Sequence, residues 1–89
     1  MRAIVTVSGF DKVGIIANVS AVLAQYGANI LDINQTVMQG IFTMVTLIDV
    51  SKTSVPFNTL KEALSEKGEE IGLSIRIQRE DIFEAMHRI

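Results

Sequence analysis

Two short segments carry residue types that could hold a small polar molecule. The first is the loop Gly9–Gly14, in which Asp11 precedes a predicted helix, and the second is Gly27–Asn29, which leads into a predicted strand. Backbone N–H groups at a helix N-terminus can bind a carboxylate. Asp11 and Asn29 offer side-chain groups for an ammonium, so together the segments suit a free amino acid. On spacing alone, the alternative that Asp11 only caps the helix and Asn29 only forms a turn stays open.

Other candidate groups lack partners of the right type. His87 is the only histidine, and its place near a helix C-terminus, where a positive charge is favourable, explains it without a metal. The chain has no cysteine, which excludes disulfides, thiolate zinc sites and a cysteine nucleophile. The second predicted helix carries an acidic patch made of Glu62, Glu66, Glu69 and Glu70. Such a patch is typical of a helix face exposed to solvent. We therefore expect no catalytic residue, no metal and no cofactor, and predict that the protein is not an enzyme.

The amino-acid composition and net charge limit the classes of partner that the protein can bind. The chain has 89 residues, of which 48% are hydrophobic, with a net charge of −2, which indicates one small domain without general affinity for nucleic acid or anionic membranes. No apolar run approaches the roughly 18 residues that span a membrane. The N-terminus has no separate apolar signal region, so we expect a cytoplasmic protein. The apolar content exceeds what so small a monomer needs, which suggests that a partner covers part of the surface.

Hydrophobic periodicity predicts the elements. Tight turns and helix stops fall at Gly27, Gln39-Gly40 and Gly72. The predicted elements are a strand Arg2–Ser8, a helix Val13–Tyr26, a strand Ala28–Gln39 with a bulge near Asp32, a strand Ile41–Val50, a helix from Pro56 to Ile71, a strand Leu73–Gln78 and a short terminal helix over 80–89.

This order predicts an α+β fold, the ferredoxin-like βαββαβ sandwich with a short C-terminal helix. Two right-handed crossovers give a four-stranded antiparallel sheet with both helices on one face. The other face is then bare. It leaves Ile4 and one parity of the third strand without a partner inside the monomer, either Ile41, Val45 and Leu47 or Phe42, Met44 and Ile48, and the terminal helix and a second subunit could cover them. RNA-binding domains of this topology stack bases on aromatic residues of the first and third strands. Only Phe42 is available there, so RNA binding is not expected.

The two polar segments resemble the motifs of the ACT domains, which are regulatory modules often attached to enzymes of amino-acid metabolism. The family pattern is Asp-x-Pro-Gly with two aliphatic residues, followed later by Gly-x-Asn-Ile. Asp11–Ile16 reads Asp-Lys-Val-Gly-Ile-Ile, with Val13 in place of the proline, and Gly27–Ile30 reads Gly-Ala-Asn-Ile. The resemblance covers residues 1–79. Residues 80–89 look like the tail of an uncharacterised family of free-standing ACT proteins, related to glycine-cleavage regulators, and are expected to belong to the same domain.

The resemblance implies a function and a set of contacts. In ligand-binding ACT domains an amino acid lies at a dimer interface, so it implies a homodimer or higher homo-oligomer. It also implies a non-catalytic regulator that acts in trans on a partner protein, because no enzyme domain is attached. The implied ligand contacts are Asp11 and Asn29 by side chain, Gly14 and Ile15 by backbone N–H, and the motif neighbours Lys12 and Ile30.

A second function stays open. The chain could be a ligand-free protein-interaction or oligomerisation module whose sheet edge or bare face binds another protein. The second strand is expected at the sheet edge, where Asp32 and Asn34 would guard it against promiscuous pairing.

Overall fold

The computed structural model describes residues 1–10 and 12–80, and of Lys12 the backbone alone. The predicted first and last residues of the six elements between 2 and 79 agree with the structure to within one residue. The predicted terminal helix lies outside the described residues from 81 onward. Neither described helix is long and apolar enough to cross a membrane. The elements are β1 (Arg2–Gly9), α1 (Lys12–Gln25), β2 (Asn29–Met38), β3 (Ile41–Asp49), α2 (Phe57–Ile71) and β4 (Ser74–Arg79).

The sheet confirms the predicted ferredoxin-like fold. Its strand order is β2-β3-β1-β4, and every neighbouring pair is antiparallel. β1 is paired on both sides and contributes Ala3, Val5 and Val7 to the core. Since strand residues alternate between faces, the same side of β3 is also buried, and the helices pack on that side. The largest fully buried apolar side chains are Val5, Val7, Ile15, Val19, Leu23, Ile48, Leu60 and Leu64.

The second strand contains the predicted bulge. Its register against β3 shifts between Ile30 and Asp32, and the Asp32 carboxylate accepts a hydrogen bond of 2.9 Å from the N–H of Ile33. The bulge places both Ile30 and Ile33 on the helix side of the sheet, opposite the buried Ile48 and Thr46 of β3. Yet both isoleucines are exposed, because α1 and α2 do not cover this edge.

The opposite face of the sheet is bare, as predicted. Val45 and Ile41 of β3 are exposed there, and Ile4 and Leu47 are half-buried. The surplus of apolar residues therefore has two locations, the bare face and both sides of β2. The sequence predicted only the first.

The second helix packs closely against Leu73, the residue just before β4. A Cβ atom at Gly68, in the last turns of this helix, would lie 2.8 Å from the carbonyl oxygen of Leu73. The glycine therefore permits a backbone contact that a larger residue would block. At the other end, Pro56 is the N-cap rather than a first-turn residue, because its ψ of 158° is extended.

Among the described residues, one buried side-chain oxygen lacks a hydrogen-bond partner. Thr46 has 0% exposure, and its hydroxyl makes no hydrogen bond within the described part of the chain. Because an unpaired buried hydroxyl is unfavourable, Thr46→Val is expected to raise the free energy of unfolding by about 1 kcal/mol, measured by urea denaturation. Thr43→Val, on the half-buried outer side of the same strand, is the control and should change it by less than about 0.5 kcal/mol. A loss of stability in Thr46→Val would show that the hydroxyl is paired.

Candidate functional site

The loop before α1 leaves the sheet through a tightly packed glycine. A Cβ atom at Gly9 would collide with the Leu73 side chain and lie 3.2 Å from Cδ1 of Ile15. The loop therefore packs directly against the core where it leaves β1. α1 then begins at Lys12. The first-turn N–H groups of a helix have no intrahelical acceptor and lie at the positive end of its dipole, so this end suits a carboxylate.

The first turn of α1 combines an anchor with an exposed apolar surface. The Ile15 side chain is fully buried, so this residue could contact a ligand only through its backbone. The carbonyl oxygen of Gly14 accepts a hydrogen bond of 2.8 Å from Nδ2 of Asn18. Phe10 and Val13 are 82% and 77% exposed. The anchored turn thus has two large apolar side chains beside it that nothing in the described chain covers.

The second polar segment lies beyond the end of α1. The N–H of Ala28 donates to the carbonyl oxygen of Leu23 at 2.9 Å, and Gly27 has the left-handed φ of 75° predicted for a helix stop. Asn29 then starts β2 with its side chain exposed. Ile30 follows on the helix side of the sheet. The turn therefore presents the Asn29 amide at the sheet edge.

A carboxylate that the sequence did not single out lies opposite this amide. Asp49 is the register partner of Asn29 on β3. The backbone N–H of Ser51 donates to its Oδ1 at 2.9 Å and lowers the pKa of Asp49, and the N-terminal ammonium of Met1 lies 3.9 Å away. Asp49 is thus ionised at neutral pH, and beside Asn29 it makes this end of β2 suitable for an ammonium. Only strand register brings them together, so no local sequence signal could have found Asp49.

The two halves of the predicted site lie at opposite ends of the sheet. Gly9, which precedes the loop, pairs with Phe42, whereas Asn29 pairs with Asp49 seven positions along β3. α1 spans the distance between them with 14 residues, or about 21 Å. One protomer therefore brings Gly14 and Ile15 together, and separately Asn29 and Ile30, but does not unite the two pairs.

Some predicted contacts are not tested by this geometry. Asp11 and the Lys12 side chain lie outside the described residues, and their roles stay predictions. His87 also lies outside them. Within 1–10 and 12–80, no group of three or more histidine, aspartate or glutamate side chains could hold a metal ion.

Residues 2–78 match the family described as ACT domain. The chain belongs to the ACT domain family. It is 55% identical over 89 residues to a UPF0237 protein of Clostridium acetobutylicum, with all of both chains covered. The ACT domain protein from Streptococcus pneumoniae has a TM-score of 0.81 at 42% identity, with 94% of each chain covered.

A larger protein shares the fold. A structure assigned to a glycine cleavage system transcriptional repressor has a TM-score of 0.70 at 29% identity and covers 88% of this chain, which spans 44% of it. The family match and these structures confirm the predicted resemblance to ACT domains. ACT domains are regulatory ligand-binding modules.

Asn18, which sequence reasoning missed, is expected to stabilise the first turn of α1. Its side-chain amide donates to the carbonyl oxygen of Gly14, four residues earlier, and so adds a hydrogen bond to this turn. Asn18→Ala should lower the free energy of unfolding by about 0.5–1.5 kcal/mol in chemical denaturation. Gln25→Ala, an exposed change in the same helix, is the control and should stay within about 0.5 kcal/mol of wild type. Equal stability of the two variants would contradict this role.

Proposed function

We propose that this ACT domain is a non-catalytic cytoplasmic sensor. It binds a free amino acid at the interface of a homodimer and acts in trans on a partner protein. The observation that carries the proposal is the separation of two complementary half-sites. The start of α1 suits a carboxylate, and Asn29 beside Asp49 suits an ammonium, but the two lie at opposite ends of one protomer.

A second copy joined along β2 would unite the half-sites. In an antiparallel pair of β2 strands related by a two-fold axis, the start of one strand lies at the end of the other. Met38, at the end of β2, pairs with Ile41 at the end of the sheet where α1 begins. Asn29 of the partner subunit would therefore approach the α1 N-terminus of the first protomer. Each bound amino acid would then contact both chains.

The composition of β2 favours such pairing. It is an edge strand of ten residues, all exposed, and Asp32 is its only charged residue. Val37 and Met38 are 64% and 70% exposed, so pairing would cover apolar surface on both faces of the strand. A register that aligns the start of one β2 with the end of the other keeps the two Asp32 carboxylates from lying opposite each other. The edge is thus poorly protected against its own copy.

Regulation follows if the dimer has two arrangements that differ in ligand affinity. An amino acid that bridges the subunits stabilises the arrangement in which both half-sites contact it. A partner protein that recognises that arrangement then responds to the amino-acid concentration. No bond of the ligand needs to change, so the domain needs no catalytic group.

Thermal shift against the twenty amino acids tests ligand binding. At about one hundred times its Kd, a ligand adds about 2.7 kcal/mol of stability, so the melting temperature should rise by roughly 10–20 °C. Asp11→Ala and Asn29→Ala should each abolish the shift. Because the half-sites come from different subunits, a heterodimer refolded from both variants should recover one intact site and about half of the binding.

The heterodimer experiment distinguishes a site shared between two subunits from a site within one protomer. Recovery in the heterodimer supports the shared site, whereas loss of binding in both variants without recovery places the two residues in one protomer and contradicts it. If no amino acid shifts the melting temperature at millimolar concentration, the sensor proposal fails. The alternative, a ligand-free interaction module, is then favoured, because the exposed apolar surface of β2 needs no ligand to bind a protein.

Sedimentation velocity tests the interface. Ile33→Lys places a charge on the exposed helix side of β2 and should convert the dimer to monomer at micromolar concentration. Val45→Lys places the same charge on the bare face of β3 and should leave the dimer intact. The reverse pattern would move the interface to the bare face, and a wild-type monomer would refute the dimer.

A further inference from the structure

The other edge of the sheet carries a groove of different chemistry. β4 is an edge strand of six residues, and a groove of about 320 Å³ runs along it beside α2. Residues from both faces of β4 line it, so the groove lies in the plane of the sheet, next to the strand. Its lining residues are Lys61 and Ser65 of α2 and Ile75, Arg76, Ile77 and Gln78 of β4.

The lining combines an apolar floor with two cations. Ile77 is 5% exposed and Ile75 packs partly against the core, so both present a fixed apolar surface. Lys61 and Arg76 are exposed, and neither forms an ion pair with another described residue. No carboxylate is among the six lining residues. The groove therefore favours a negatively charged occupant.

The backbone of β4 specifies the shape of that occupant. Within the described sheet β4 pairs only with β1. A strand paired on one side has a second row of N–H and C=O groups on the other side, and an extended segment can pair with that row over 74–77. Side chains of an added strand alternate between faces, so one set would lie near Ile75 and Ile77 and the other near Arg76.

We propose that the groove between β4 and α2 binds an extended acidic segment of a partner protein as a fifth strand of the sheet. The proposal rests on the proposed function in one respect, since action in trans requires a partner. It supplies the chemistry of that partner. The two edges then have separate roles. β2, with one charge and many apolar residues, pairs with its own copy, and β4, with its cations, binds another chain.

A peptide titration followed by two-dimensional NMR tests the groove without the amino-acid ligand. The probe is a short peptide that alternates valine with glutamate. Its matched controls are the same peptide with N-methylated backbone amides and a peptide that alternates valine with lysine. We expect the acidic peptide to shift the amide signals of 74–79 and of Lys61 and Ser65, and both controls to leave them unchanged.

Charge reversals locate the contact. Arg76→Glu should weaken binding by about tenfold or more, because the glutamates of the added strand lie on the Arg76 side of the sheet, and binding should fall as salt rises. Lys52→Glu lies in the exposed loop before α2 and should change affinity by less than about twofold. Asn29→Ala should bind the peptide like wild type, which separates this result from failure of the amino-acid site.

Three outcomes overturn the proposal. If the N-methylated peptide bound as tightly as the unmethylated one, the contact would depend on surface charge alone and not on strand pairing. Signal shifts confined to β2 would place the acidic segment at the other edge. No shift at millimolar peptide would show that the groove does not take an acidic strand.

Discussion

The crossover that joins β1 to β2 fixes the layout of this protein. β1 and β2 both pair antiparallel with β3 and therefore run in the same direction. The chain must return along the full length of the sheet between them, and α1 makes that return. Residues before and after this helix consequently lie at opposite ends of the sheet. The two predicted binding motifs, which are 13 positions apart from Gly14 to Gly27 in sequence, therefore lie at opposite ends of the sheet in a single protomer.

The same crossover determines which surface is left uncovered. Two helices of 14 and 15 residues pack on a sheet of four strands, and they bury the helix side of β1 and β3. They leave β2 exposed over its whole length. In a larger domain another element would cover this strand. Here its apolar side chains remain exposed in the protomer, where the proposed dimer interface would cover them.

Close packing around Leu73 holds one end of the fold. Gly9 lies against Leu73, and Gly68 lies against the carbonyl of the same leucine. The segment after α2 thereby contacts the end of β1 and the body of α2. These contacts position the loop that leads to α1 and the α2 wall of the groove beside β4. Replacement of either glycine would therefore disturb a surface as well as the core.

Local patterns in the sequence determined the elements and the fold. Alternation predicted the strands, with a bulge near Asp32 in the second one, and helical spacing predicted the helices. These features depend on neighbours within a few residues, so they can be read from the chain itself. The order of elements then led to one sheet topology, and the two short motifs led to the family.

Tertiary structure alone decided what the sequence left open. The alternation of side chains along β2 places Ile33 on the helix side of the sheet, but it does not show whether a helix covers that position. Neither α1 nor α2 covers it, so Ile33 is exposed. Asp49 lies beside Asn29 because strand register joins residues that are 20 positions apart in the chain. The groove beside β4 depends on how α2 packs against that strand. Each of these depends on the spacing of whole elements, which is set by core packing and not by local pattern.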